Sequence, residues 1–123
     1  MMNEKQSKPV IWIGSSHEDW LEFPDDVQDV MGYALHLAHC GEKANNAKPL
    51  TGFKGASVLE ITDNFDSDTY RAIYTVKFND AIYVLHAFQK KSKKGIATPK
   101  NHIELIEQRL RKAREYHDKH QKQ

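Results

Sequence analysis

Arg71, His86, Phe88 and Lys90, with Lys91, Lys93 and Lys94 close behind, are residue types that together could act on RNA. A guanidinium grips phosphate through a planar fork, ammonium groups add point charge, and a phenyl ring offers a flat face to an unstacked base. An imidazole exchanges protons near neutrality, its ordinary pKa being about 6.5. Such a set suits cleavage of RNA by attack of a ribose 2′-hydroxyl on the neighbouring phosphate. That reaction needs a proton acceptor, a proton donor and fixed positive charge on the transition state, and it needs no metal. Each residue also has a plainer reading. A histidine within a strand can be a satisfied structural residue, and Arg71 could pair with the acidic stretch DNFDSD at 63–68. A second set, His36, His39 and Cys40 with His17 upstream, competes for attention. Positions 36 and 40 share a helical face and could join a third ligand on zinc, but no fourth ligand stands at a familiar spacing. Packed or exposed side chains are the expectation there, with no metal and no cofactor.

The chemistry depends on strands that bring these residues to one surface. Tyr70 to Phe78 alternates, with Tyr70, Ala72, Tyr74, Val76 and Phe78 on one face and Arg71, Ile73, Thr75 and Lys77 on the other. Asn79-Asp80 reads as a two-residue hairpin turn, and Ala81 to Phe88 as a nearly all-apolar central strand. If Phe78 pairs with Ala81, Val76 faces Tyr83, Tyr74 faces Leu85, Ile73 faces His86 and Arg71 faces Phe88. Arg71, His86, Phe88 and Lys90 then share one open surface, with Lys91, Lys93 and Lys94 at its rim; a slip of one residue would exchange the faces. Upstream, Val10–Ile13 reads as a strand, and Ser16 with Asp19 as the opening of a short helix. Pro24 begins a longer helix whose apolar face is Val27, Val30, Met31, Ala34, Leu35 and Ala38, stopping at Gly41. Residues 42–56 read as a long loop, without the spacing of a phosphate-binding glycine-rich loop, and 57–62 as a strand. Thr98-Pro99 restarts a helix with Ile103, Ile106, Leu110 and Ala113 as its buried stripe. The order β-α-α-β-β-β-α predicts an α+β domain on an antiparallel core sheet.

With 123 residues, the chain is sized for a single core. The expected division is a loose segment over 1–9, one domain over 10–118 and a polar tail over 119–123. No apolar run approaches membrane-span length. MMNEKQSKP has no apolar core behind its charges, and Cys40 is the single cysteine, so a cytosolic, disulfide-free protein is expected. The net charge of +1 hides an asymmetry: residues 86–123 hold 11 Lys/Arg against 4 acids, residues 1–85 hold 7 against 13. A basic end on an acidic remainder points to a polyanion, RNA foremost, although a solvated basic helix would give the same count.

The segments LEFPDDVQDVMGYALHLAHCGE, KPLTGFKG, VLEITDNFDSDTYRAIYTVKFNDAIYVLHAFQKKSKKGIATP and IELIEQRLRKARE together resemble the phage-derived branch of the RelE/HigB toxin superfamily, from about Ile11 to Tyr116. The resemblance implies a RelE-like fold, with helices packed on one face of a twisted antiparallel sheet. It implies the toxin of a type II toxin–antitoxin pair, an endoribonuclease that cuts mRNA in the ribosomal A site, partnered by a small helix-turn-helix antitoxin. It gives Arg71 the scissile phosphate, and Lys90 and Lys91 phosphate binding and proton transfer. VLEIT carries Glu60 where RelE has lysines, so the proton acceptor stays open between Glu60 and His86. Phe88 would shape a base pocket, with Lys77, Lys93 and Lys94 as further RNA contacts.

Overall fold

A computed structural model describes residues 9–53, 57–78, 81–90 and 99–121. Its elements are β1 (Val10–Trp12), α1 (Ser16–Leu21), α2 (Asp25–His39), β2 (Ala47–Pro49), β3 (Val58–Phe65), β4 (Asp68–Thr75), β5 (Ile82–Lys90) and α3 (Lys100–Gln121). They form an α+β fold around an open five-stranded sheet ordered β1-β5-β4-β3-β2. Strands β3 to β5 pair antiparallel, as expected, and β2 joins them antiparallel to β3, whereas β1 lies parallel to β5 through Val10–Ile82, Ile11–Tyr83 and Trp12–Val84. The sheet is therefore mixed. β2 was not expected; it sits within the stretch read as loop, at an edge where Pro49 leaves no internal ladder bond unmade.

Local chemistry accounts for the boundaries. α2 starts directly after Pro24, carries Asp25 and Asp26 against the positive end of its dipole, and buries Val27, Met31, Ala34, Leu35 and Ala38. It ends where Gly41 takes φ +86° and the Glu42 and Gly41 amides donate to the Leu37 and Ala38 carbonyls. α1 begins at the residue expected to cap it, and it is Ser15 Oγ, one residue earlier, that donates to Asp19 Oδ2 at 2.9 Å. The acidic stretch at 63–68 is a tight hairpin: Phe65 pairs with Asp68 across Asp66 and Ser67, both at positive φ. That is the backbone of a type I′ turn, whose twist matches the flanking strands.

The register of β4 and β5 follows the sequence expectation over half its length and then departs from it. Arg71 faces Phe88 and Ile73 faces His86, as expected, but Tyr74 faces Val84 and Thr75 faces Tyr83. Leu85 is thus an extra residue on β5, a bulge, and the expected Tyr74–Leu85 and Val76–Tyr83 pairs are corrected. The turn expected at Asn79-Asp80 lies outside the described residues.

Helices on one face of the sheet were expected; both faces are covered. Phe23 and the α2 residues pack with Leu59, Ile61, Tyr70, Ala72, Tyr74, Ile82, Val84 and Ala87. On the other side Ile106 and Ala113 of α3 pack with Val58, Ile73, Tyr83, Leu85 and Phe88. The reason is supply: α2 already fills one face, and the second apolar stripe can be buried only against the opposite one.

Candidate functional site

Two of the expected site residues meet. In the β3–β4 ladder Arg71 is opposite Thr62, and Glu60 lies one step along the same face, so their side chains are diagonal neighbours. Arg71 Nη1 donates to Glu60 Oε2 at 2.8 Å, with the two side chains 12% and 15% exposed. The pair lines a cavity of about 300 Å³ together with Lys48, Leu50, Thr51 and Ile103. Lys48 arrives from β2, where it is the direct partner of Glu60, and Ile103 arrives from the first turn of α3. A carboxylate, a guanidinium and an ammonium thus line one half-enclosed space. Such a space can hold an anion and move a proton.

His86 and Phe88 were expected on an open surface with Arg71. They lie on Arg71's side of the sheet, but α3 covers them, leaving them 5% and 9% exposed. His86 Nε2 is 2.7 Å from His102 Nδ1, and the Phe88 ring stacks on His102 with centroids 4.2 Å apart and planes 13° from parallel. His86 Nδ1 is buried without a hydrogen-bond partner. Burial, then the neighbouring His102 and Arg109, push the His86 pKa down to about 4 against a smaller opposing pull from Asp19. The imidazole is therefore neutral at ordinary pH and serves as a seat for α3.

Arg109 completes that seat. Its Nη1 donates to the Leu85 carbonyl at 3.1 Å and its Nη2 to Ser15 Oγ at 3.1 Å. The first bond reaches the carbonyl of the bulge residue itself. Gly14, at φ +60°, lies against the guanidinium; a Cβ there would come within 2.8 Å of Arg109 Nε. Burial lowers the Arg109 pKa, with Asp19 acting in the opposite sense.

The other expected residues scatter. Lys77 is exposed beyond the end of β4, and Lys90 closes β5 with its backbone opposite Thr69. Lys91, Lys93 and Lys94 lie outside the described residues. His36 Nε2 and Cys40 Sγ are 3.8 Å apart at the α2 end, and no group of three metal-ligating side chains occurs among the described residues. His17 packs instead against Trp12 and Trp20, at centroid distances of 4.5 and 6.0 Å. Among the described residues no helix is long and apolar enough to cross a membrane.

Lys48 escaped sequence reasoning. Its position opposite Glu60 depends on β2, and three residues that include a proline give no periodic signal. Only the pairing of a buried Ala47 with Ile61 betrays the strand, and that pairing needs coordinates.

No curated protein matches the chain. A family model does: residues 18–111 match the one described as Phage derived protein Gp49-like (DUF891). The matched span holds α2, all of β2 to β5 and the first half of α3, and so includes Lys48, Glu60, Arg71 and His86. A match over more than half its length makes this chain a member of the phage-derived Gp49-like family.

Proposed function

We propose that the protein is the toxin of a type II toxin–antitoxin pair, an endoribonuclease that cuts translated mRNA. One observation carries the reading: Glu60 and Arg71 are held 2.8 Å apart at the wall of a cavity large enough for part of a nucleotide. In the reaction the Glu60 carboxylate takes the proton of a ribose 2′-hydroxyl, and O2′ attacks the adjacent phosphorus. The bond to the 5′-oxygen breaks, leaving a 2′,3′-cyclic phosphate. Arg71, oriented by Glu60, holds the non-bridging oxygens and stabilises the charge that builds up on them. Lys90 and Lys91 supply further positive charge and the proton for the departing oxygen. Glu60 is preferred to His86 as acceptor because His86 is enclosed against His102. Lys77, Lys93 and Lys94 then meet RNA of the message or the ribosome, and a small helix-turn-helix antitoxin holds the toxin in check.

A rival reading is a non-catalytic module that binds RNA, the ribosome or another protein on the same scaffold. It is favoured by the same ion pair, since Glu60 and Arg71 would also join β3 to β4 in a purely structural role. Induced expression separates the two. Growth arrest that Arg71→Ala abolishes while the protein still folds supports catalysis; equal toxicity of both proteins supports binding. Primer extension on a reporter transcript, with and without translation, then tests the ribosome's part. Cuts that also appear in untranslated RNA would refute it.

A further inference from the structure

Among the described residues that line the cavity the formal charges do not cancel, and the residue responsible is Lys48. Among the described lining residues Glu60 and Arg71 neutralise each other through their ion pair, and Pro49, Leu50, Thr51 and Ile103 are uncharged. Lys48 gives these described lining residues one net positive charge, the complement of a single phosphodiester. We infer that Lys48 is the residue that makes this cavity a phosphate site. It binds a non-bridging oxygen of the RNA beside Arg71. The inference rests on the endoribonuclease reading and sets a cation beside Arg71 at the described cavity wall, one that neither composition nor spacing pointed to.

The backbone places this side chain closely. Lys48 is the direct partner of Glu60, so the two side chains leave the sheet on one face about 5 Å apart at Cβ. Arg71 stands on the next strand, on that same face. β2 is pinned on both sides of Lys48. The Thr62 amide donates to the Asn46 carbonyl at 3.1 Å, and the Leu50 amide donates to the Val58 carbonyl at 2.9 Å. Ala47 and Leu50 are buried while Lys48 between them is exposed. The strand is therefore anchored by its neighbours, and Lys48 is free of any packing duty.

Its chemistry differs from that of Arg71. One guanidinium N–H is already committed to Glu60, and the paired carboxylate orients the fork while weakening its electrostatic pull on an incoming anion. An ammonium on a flexible four-carbon stem can follow the phosphate as its geometry changes. As O2′ attacks, negative charge accumulates on the non-bridging oxygens. A cation at that point lowers the barrier more than it strengthens ground-state binding. Glu60 gains as well, because Lys48 keeps the carboxylate and the phosphate from repelling each other within one small space.

The test uses the full chain in four forms: wild type, Lys48→Met, Lys48→Arg and Arg71→Ala. Each is titrated with a single-stranded 2′-O-methyl oligoribonucleotide, which cannot be cut, over a range of salt. Each is also scored for cleavage of a translated reporter. Lys48→Met should weaken binding about tenfold and lower the slope of log K against log salt by about 0.7, the share of one phosphate contact on a single strand. Its cleavage should fall at least as far as its binding. Lys48→Arg should restore most of both, which a merely structural role would not require. Wild-type binding and cleavage in Lys48→Met, alongside loss of cleavage in Arg71→Ala, would overturn the role of Lys48 and leave the wider reading standing. No binding of the oligonucleotide by wild type would also overturn it. Unchanged cleavage in Arg71→Ala would overturn the endoribonuclease reading instead.

Discussion

Lowering the pH from about 7.5 to about 5 should remove roughly 2 kcal/mol of stability through His86 alone. In the folded protein its pKa is pushed down from 6.5 to about 4. The unfolded chain keeps the ordinary value. Above the unfolded pKa neither state carries the proton, and the native state has its full stability. As the pH falls below about 6.5 the unfolded state takes up a proton that the folded state refuses, so stability drops. The loss grows until the folded pKa is reached, where it levels off near 3 kcal/mol, at about 1.36 kcal/mol per unit. Urea denaturation followed by the fluorescence of Trp12 and Trp20 measures this directly at the two pH values. His86→Gln supplies the comparison, because it keeps a polar group facing His102 without a titrating one. The variant should start less stable at about pH 7.5 but lose about 2 kcal/mol less on acidification than wild type does. Equal losses in the two proteins would refute the enclosure of His86 beneath α3.

Three further outcomes probe the architecture. Ile106→Ala, at a fully buried α3 position, should cost about 2–5 kcal/mol in urea denaturation; a cost below about 1 kcal/mol would contradict packing of α3 on the sheet. Gly14→Ala should cost about 1–3 kcal/mol, because the residue sits at φ +60° with its would-be Cβ against Arg109, and thermal melting would register it. Ser67→Gly should stabilise by about 1 kcal/mol, since Ser67 holds φ +74° in the β3–β4 turn; a lower melting temperature would count against that turn.

What the sequence disclosed depended on whether a feature was local. α2 could be read from Pro24 to Gly41 because its start, stripe and stop are all written in neighbouring residues. The β4–β5 register was readable from Thr69 to Ile73 and not beyond, because in an all-apolar strand an extra residue such as Leu85 leaves no trace in the alternation. The stripe of α3 was equally plain, yet periodicity says which side of a helix is buried and nothing of which side of a sheet it buries. That gap turned an expected open surface holding His86 and Phe88 into the floor beneath a helix. Glu60 and Arg71 were each singled out in the sequence, but their contact depends on how β3 and β4 align across the Asp66-Ser67 turn.

The parallel pairing of β1 with β5 sets an order on assembly. β3 and β4, joined by two residues, can close as soon as they leave the ribosome, whereas β1 precedes them and has no partner until Ile82–Val84 become available some 70 residues later. Arg109 ties the early Ser15 to the late α3 across 94 positions of sequence, and the same helix brings Ile103 to the cavity wall. A nascent chain therefore holds β1 unpaired until β5 has been made, and its cavity unwalled until α3 follows.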